Sequence, residues 1–286
     1  MLRMKRAALS ASRAKDFQQC PLMFRLRVVD KIPEPPSAAA VRGTLVHAVL
    51  EHLFDLPADQ RQEEAALALV EPRWRALVEQ RPEVTQVAPE AGDAAAFLAQ
   101  ARALVSNYFR VENPRRLQPA ARERFVEVEL DSGLLLRGFM DRVDVAPNGA
   151  VRVVDYKTGK APGPRFTAEA LFQMKFYALM LWRLEGTAPA RLQLIYLADG
   201  RTLTLDPLPE ELAAFERDVM HLWDQIERAV HSQQFAARKT RLCDWCSFQQ
   251  LCPAFGGTTP PVPEDGLRAL AAARRGALPF GVEEGQ

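Results

Sequence analysis

Gly138-Phe139-Met140-Asp141-Arg142-Val143-Asp144 comes first, and Asp155-Tyr156-Lys157-Thr158-Gly159 follows, with Asp155 fourteen residues beyond Asp141. Both stretches belong to runs with the period-two alternation of a strand that has one buried face. Pro147-Asn148-Gly149 between them is a turn signal, so the two runs read as a hairpin. Arg137, Phe139, Asp141, Val143 and Val145 share one parity, and so do Val151, Val153, Asp155 and Lys157. The spacing therefore predicts two carboxylates and a lysine on inward faces. An acid there costs several kcal/mol, on the order of 3–5, unless it is paired or metal-bound. Two arrangements meet that cost. One is a structural ion pair with Lys157. The other is a divalent ion between the acids, with the ammonium facing the same water, which equips a site for metal-assisted hydrolysis of a phosphodiester.

Outward from the hairpin, Phe125 to Leu130 alternates as well, which makes a β-meander with the stretches from Leu134 to Val145 and Val151 to Tyr156. After Pro162 and Pro164, residues 167–185 read as a helix. Residues 191–197 and 202–205 read as strands, and about 208–233 as a helix. Upstream, Ser10 or Ser12 caps a short helix through Lys15, Phe17 and Cys20. Pro33, Pro35 and Pro36 mark a loop. Helical spacing over 41–54 is followed by two more helices, near 60–80 and 93–112. Gly256 to Pro263 is linker-like, with a short helix near 265–275. The expected organisation is one domain over 1–256 and a loosely attached linker and tail over 257–286.

The chain has 286 residues, 48% of them apolar and 26% charged, with a net charge of +1. That composition is globular, and the lack of a long apolar run argues against a membrane span. The basic N-terminus has no apolar stretch after it, so a cytoplasmic protein is expected. Charge is uneven: residues 1–31 carry eight Lys/Arg against two Asp, and 51–100 carry ten acids against four Arg. One face can attract phosphate while another repels it. There is no Walker A pattern, hence no recognisable nucleotide motor.

His47 stands on the 41–54 helix with Glu51 one turn on, and Gly43 one turn before it permits close backbone approach. Gln173 and Tyr177 lie four apart on one helix face. Cys20 stands alone, while Cys243, Cys246 and Cys252 cluster, and in a cytosolic chain such spacing reads as metal binding before disulfide. Near them, Trp245 and Phe248 are candidates to stack on bases or to pack in the core, and Arg238, Lys239 and Arg241 to bind phosphate.

Taken in order, Arg42-Gly43 with His47, the Gly138–Asp144 stretch, Asp155-Tyr156-Lys157-Thr158-Gly159 and Gln173-Met174-Lys175-Phe176-Tyr177 resemble the motifs of RecB-like PD-(D/E)xK nucleases. The resemblance covers about residues 8–255. It implies an α/β restriction-endonuclease-like core, with a central mixed sheet flanked by helices. It implies that His47, Asp141, Asp155 and the Tyr156 carbonyl hold Mg²⁺ or Mn²⁺. Lys157 would then orient water, and Gln173 and Tyr177 would position the site and the strand. Cys20, Cys243, Cys246 and Cys252 resemble the ligands of the Fe–S branch (AddB-type and CRISPR-associated exonucleases). There a [4Fe–4S] cluster clasps the two ends of the domain, and Cys₄ zinc is the competing occupant. The implied function is a DNA nuclease in repair or recombination, working on single strands or duplex ends. The alternative is a non-catalytic DNA-binding subunit beside a helicase.

Overall fold

The meander forms the first part of one five-stranded sheet, in a computed structural model that describes residues 7–88, 91–163 and 167–274. Its strands are β1 (Ala121–Glu129), β2 (Leu135–Val145), β3 (Val151–Lys157), β4 (Arg191–Tyr196) and β5 (Arg201–Leu205), adjacent in that order. All neighbours are antiparallel except β3 and β4. A parallel pair needs a crossover, and α6 (Thr167–Glu185) supplies it. The result is a mixed α/β sheet flanked by helices, as expected.

Helices cover both faces. On one face α1 (Ala11–Gln19), α6, α7 (Pro209–Ser232) and α8 (Glu264–Ala271) bury a core that includes Leu136, Met140, Val153, Phe176, Leu194 and Trp223. On the other, α3 (Ala38–Leu53), α4 (Glu63–Gln80) and α5 (Ala91–Val111) enclose Leu45, Val49, Tyr108, Val154 and Tyr156. Between α1 and α3, α2 (Pro21–Phe24) runs into a π-helical turn over Arg25–Val29, which the sequence pattern did not reveal. Among the described residues no helix is long and apolar enough to cross a membrane.

The even alternation predicted for β2 is broken. Arg122 pairs with Arg142 and Arg124 with Met140, leaving Glu123 and Asp141 between them, and Glu123 has a left-handed φ of 43°. A left-handed non-glycine residue rotates the strand locally. Before the break Met140 faces the first core; after it Val143 does, while Arg142 turns towards Tyr108 and Tyr156 of the second. Phe139 and Val143 thus lie on opposite faces, a correction to the shared face expected of them.

β3 pairs with β2 only from Val151 to Val154 and then diverges. Further along, the same edge of β2 is taken by Leu9, whose N–H donates to the Leu135 carbonyl and whose carbonyl accepts from Arg137 N–H, both at 2.9 Å. The gap between the departing β3 and the arriving Leu9 opens at Asp141.

The expectation of a loose tail from residue 257 fails up to residue 274. Leu267, Leu270, Ala271 and Ala273 are buried in the first core, and Arg274 bridges to Leu134. Helical spacing of apolar residues on α8, rather than the preceding prolines, decides this. The last part of the expected tail, 275–286, lies outside the described residues.

Candidate active site

The cleft at the β2–β3 fork is lined by Ser10, Ser12, Arg13 and Lys15 of the α1 end, by His47, by Arg137 to Asp141 except Met140, and by Asp155, Lys157, Gln173 and Tyr177. Every side chain that the sequence singled out for chemistry at the hairpin reaches this one place. The fork does the positioning. Where the β2–β3 ladder ends, the Asp141 carboxylate replaces a backbone acceptor and takes a hydrogen bond from Tyr156 N–H at 2.7 Å. This holds the second strand beside the first and leaves the remaining lone pairs of Asp141 facing the cleft.

His47 comes in from α3. Its Nε2 lies 3.0 Å from the Tyr156 carbonyl, to which it donates, and its Nδ1 lies 3.4 Å from Asp141 Oδ2. Gly43 does not gate this approach, since a Cβ there would stand in ordinary contact, 3.6 Å from the Thr158 hydroxyl. Burial works against the imidazolium, but the Asp141 hydrogen bond and charge, then Asp155 and Glu123, outweigh it and push His47 up to about 9.

Asp155 is almost fully buried. Burial pushes its carboxyl up, the Asp141 charge adds to this, and Lys157 and His47 oppose it. Its Oδ1 accepts from Gln173 Nε2 at 3.0 Å, and its Oδ2 lies 2.6 Å from Lys157 Nζ. Lys157 donates in turn to Gln173 Oε1 at 2.9 Å. A single amide therefore orients both members of the ion pair. Gln173 is steadied by Tyr177, whose hydroxyl lies 2.9 Å from Nε2. Tyr177 also packs on Gly138, where a Cβ would come within 3.1 Å of the ring. That contact is the reason for glycine at the start of the motif.

One residue was not foreseen. Glu123, opposite Asp141 on β1, brings a carboxylate oxygen into a group with His47 and Asp141 in which the donor atoms lie within 4.8 Å of one another. Burial and the Asp141 charge push it up to about 7. Nothing in Arg122-Glu123-Arg124 distinguishes it from a solvated strand residue; only its place across the ladder does.

Arg142 and Asp144, between the two acids in sequence, serve the scaffold instead. The buried Arg142 guanidinium donates to both Glu112 oxygens of α5 (2.8 and 2.9 Å) and to the Tyr156 hydroxyl (2.5 Å), and it pairs with Asp144 at 3.1 Å. Glu51, one turn after His47, stays outside the three-donor group, and so does Asp155, which the sequence had placed among the metal donors.

The four cysteines are free thiols and line one small cavity, although Cys20 is more than 220 residues from the others in sequence. Backbone N–H groups of Arg238 and Thr240 point at Cys20 Sγ (3.4 Å) and Cys243 Sγ (3.3 Å). Phe248 is buried with Leu22, Met23 and Leu26 beside this cavity, so packing, not base stacking, is its role; Trp245 is 78% exposed.

Two curated relatives share the chain over most of its length. The "Gene 69 protein" of Mycobacterium phage D29 is 25% identical over 89% of this chain and 100% of its own. The protein of the same name from Mycobacterium phage L5 is 24% identical over 86% of this chain and 96% of its own. The crystal structure of SSO0001 aligns with 64% of this chain and 81% of its own at 20% identity, with a TM-score of 0.33, too low to bear on the fold. The family model of the PD-(D/E)XK nuclease superfamily matches residues 8–253, from the segment that edges β2 to just past Cys252, and the chain belongs to that superfamily.

Proposed function

We propose that this protein is a metal-dependent deoxyribonuclease of the RecB-like Fe–S branch. It would act as an exonuclease on single strands or duplex ends, in DNA repair or recombination, with a helicase as a partner in trans. The observation that carries the reading is the convergence of Asp141, Asp155 and Lys157 at the fork, with Gln173 orienting the last two.

The donor set suits a hard divalent ion. His47, Asp141, Asp155 and the Tyr156 carbonyl would hold Mg²⁺ or Mn²⁺, and Glu123 adds a further carboxylate. The site has the electrostatics of one built around positive charge: a buried, upshifted acid, a second upshifted acid, and an imidazolium between them. When bound, such an ion supplies Lewis acidity and makes coordinated water more acidic. His47 must release its proton before it can act as a ligand. Lys157 presents an ammonium where negative charge grows on the phosphoryl oxygens, and Gln173 fixes its direction. Tyr177 fixes Gln173.

Cys20, Cys243, Cys246 and Cys252 line one cavity, and the occupant we assign to it is a [4Fe–4S] cluster, with Cys₄ zinc as the competing occupant.

The test is Mg²⁺-dependent cleavage of end-labelled single-stranded DNA by wild type and Lys157→Ala. Loss of the ammonium should slow the chemical step by roughly 100-fold or more. Equal cleavage by both proteins refutes the assignment.

A further inference from the structure

Phe125 on β1 and Phe139 on β2 are direct cross-strand partners, with ring centroids 5.0 Å apart and planes tilted by 50°. They are 51% and 56% exposed, on a stretch of sheet whose opposite face is buried by the first core. A phenylalanine pair can stabilise a ladder simply by touching across it. Two features go beyond that. Phe139 lines the same cleft as Asp141, Asp155 and Lys157. Arg13 and Arg137 line it too, and among the described residues neither meets a carboxylate within ion-pair distance, although Glu127 stands across the ladder from Arg137. Burial and the neighbouring Arg137 charge work against the Arg13 cation more than Asp16 favours it. Arg13 spends one Nη on the Ala8 carbonyl at 2.8 Å, and two neighbouring guanidiniums with no directly paired carboxylate are suited to an anion such as a phosphate.

The geometry points to a binding track for one unpaired nucleic-acid strand, with a base stacked on the Phe125–Phe139 pair and the adjoining phosphate held by Arg13 and Arg137. This rests on the nuclease reading of the cleft and adds which residues hold the unpaired strand. The rings offer a π-face that any unpaired base can use and that a base within a duplex cannot. The arginines continue the positive charge away from the metal donors along the cleft. The break at Glu123 and Asp141 is what turns Phe139 to the open face while the metal donors stay at the fork.

The test uses the full chain and a fluorescently labelled oligothymidylate, with affinity measured by anisotropy in Ca²⁺. Both rings are exposed, so Phe125→Ala and Phe139→Ala should fold normally, which circular dichroism checks. Each should weaken single-strand binding by between about 5-fold and about 150-fold, the range for loss of one stacked base. Phe139→Trp should bind as wild type, and affinity for a blunt duplex should change little. A single abasic residue, moved along the strand, should cost wild type affinity at one position and cost Phe139→Ala nothing there. Unchanged single-strand binding by both alanine variants overturns the track, as does an equal loss on duplex. Cleavage is scored separately. A wild type that cuts nothing with any divalent ion sinks the nuclease reading, while binding still decides the track. Normal cleavage with unchanged binding sinks the track alone.

Discussion

At the scale of single residues, the site stores its charge in a form that pH reads directly. His47 is held up to about 9 and Glu123 up to about 7, and burial raises Asp155 as well. In each case the folded protein keeps a proton that the unfolded chain has released. A raised imidazole stabilises the fold below its ordinary value of 6.5 and loses that contribution as pH rises through about 9. A raised carboxyl has the same sign: above its ordinary value of 4.5, Glu123 increasingly opposes folding until it ionises near 7. Metal-free protein should therefore lose thermal stability between about pH 4.5 and about pH 9 through these groups. Added Mg²⁺ should restore it at the alkaline end and release protons, because a bound ion favours the deprotonated donors. Melting curves across pH with and without Mg²⁺ check this, and Glu123→Gln should flatten the slope. A metal-free protein whose melting temperature rises steadily over that range contradicts the assignment. His47 was legible through the motif order it shares with a nuclease family, and Asp155 from its strand parity. Glu123 was not, because a ladder partner is set by register and no local pattern carries it.

At the scale of elements, the site depends on how closely α6 lies on β2. Gly138 allows it: a methyl group there would stand 3.1 Å from the Tyr177 ring. Tyr177 is anchored by its helix and by Gln173, so the ring has little freedom to withdraw. Gly138→Ala should destabilise the protein by about 1–3 kcal/mol through overpacking. It should also lower kcat by displacing Gln173, and weaken Mg²⁺ affinity by a smaller factor, because α6 carries no candidate metal donor and reaches the site only through Gln173 on Asp155 and Lys157. Denaturant titration and Mg²⁺ titration of the rate separate the two effects. A variant with weakened metal affinity and unchanged kcat speaks against this division of labour. Strand and helix periods predicted these elements within a few residues. The break at Glu123 and Asp141 escaped because alternation assumes unbroken pairing, and here one residue on each strand is left out of the ladder, which resets the parity beyond it.

At the scale of the whole molecule, segments from the two halves of the chain meet in two places. The four cysteines bring Cys20 to Cys243, Cys246 and Cys252 around one cavity, and α8 packs under the N-terminal elements with Gly266 close against Val29. If the cavity takes an Fe–S cluster, anaerobically purified protein should be brown, contain iron and absorb broadly near ~400 nm. Cys20→Ser should lower the melting temperature of the whole domain, since a cross-link spanning so long a loop removes much unfolded-state entropy. Colourless protein carrying one zinc refutes the cluster. Truncation after residue 256 gives a second measurement. It removes Leu267, Leu270, Ala271 and Ala273 from the first core and should cost several kcal/mol of stability, at roughly 1.5–3 kcal/mol for each buried leucine. An unchanged melting temperature would mean that α8 contributes nothing to the fold.

The sequence by itself determined the class of fold and named most of the side chains that meet in the cleft. Period-two and helical spacing require only neighbours along the chain, so the meander, the crossover helix and the inward acids are written locally. Strand parity singled out Asp155 and Lys157, while the roles expected of His47, Gln173 and Tyr177 rested on the motif order the chain shares with a nuclease family, and the structure brings all of them, with Asp141, to one cleft. Tertiary structure alone decided the rest. It set Glu123 opposite Asp141, left Phe125 and Phe139 uncovered, buried Phe248, and folded residues 264–274 back onto the core. Each of these depends on which surfaces meet across long sequence separations, and burial and register are properties of both partners, not of either stretch alone.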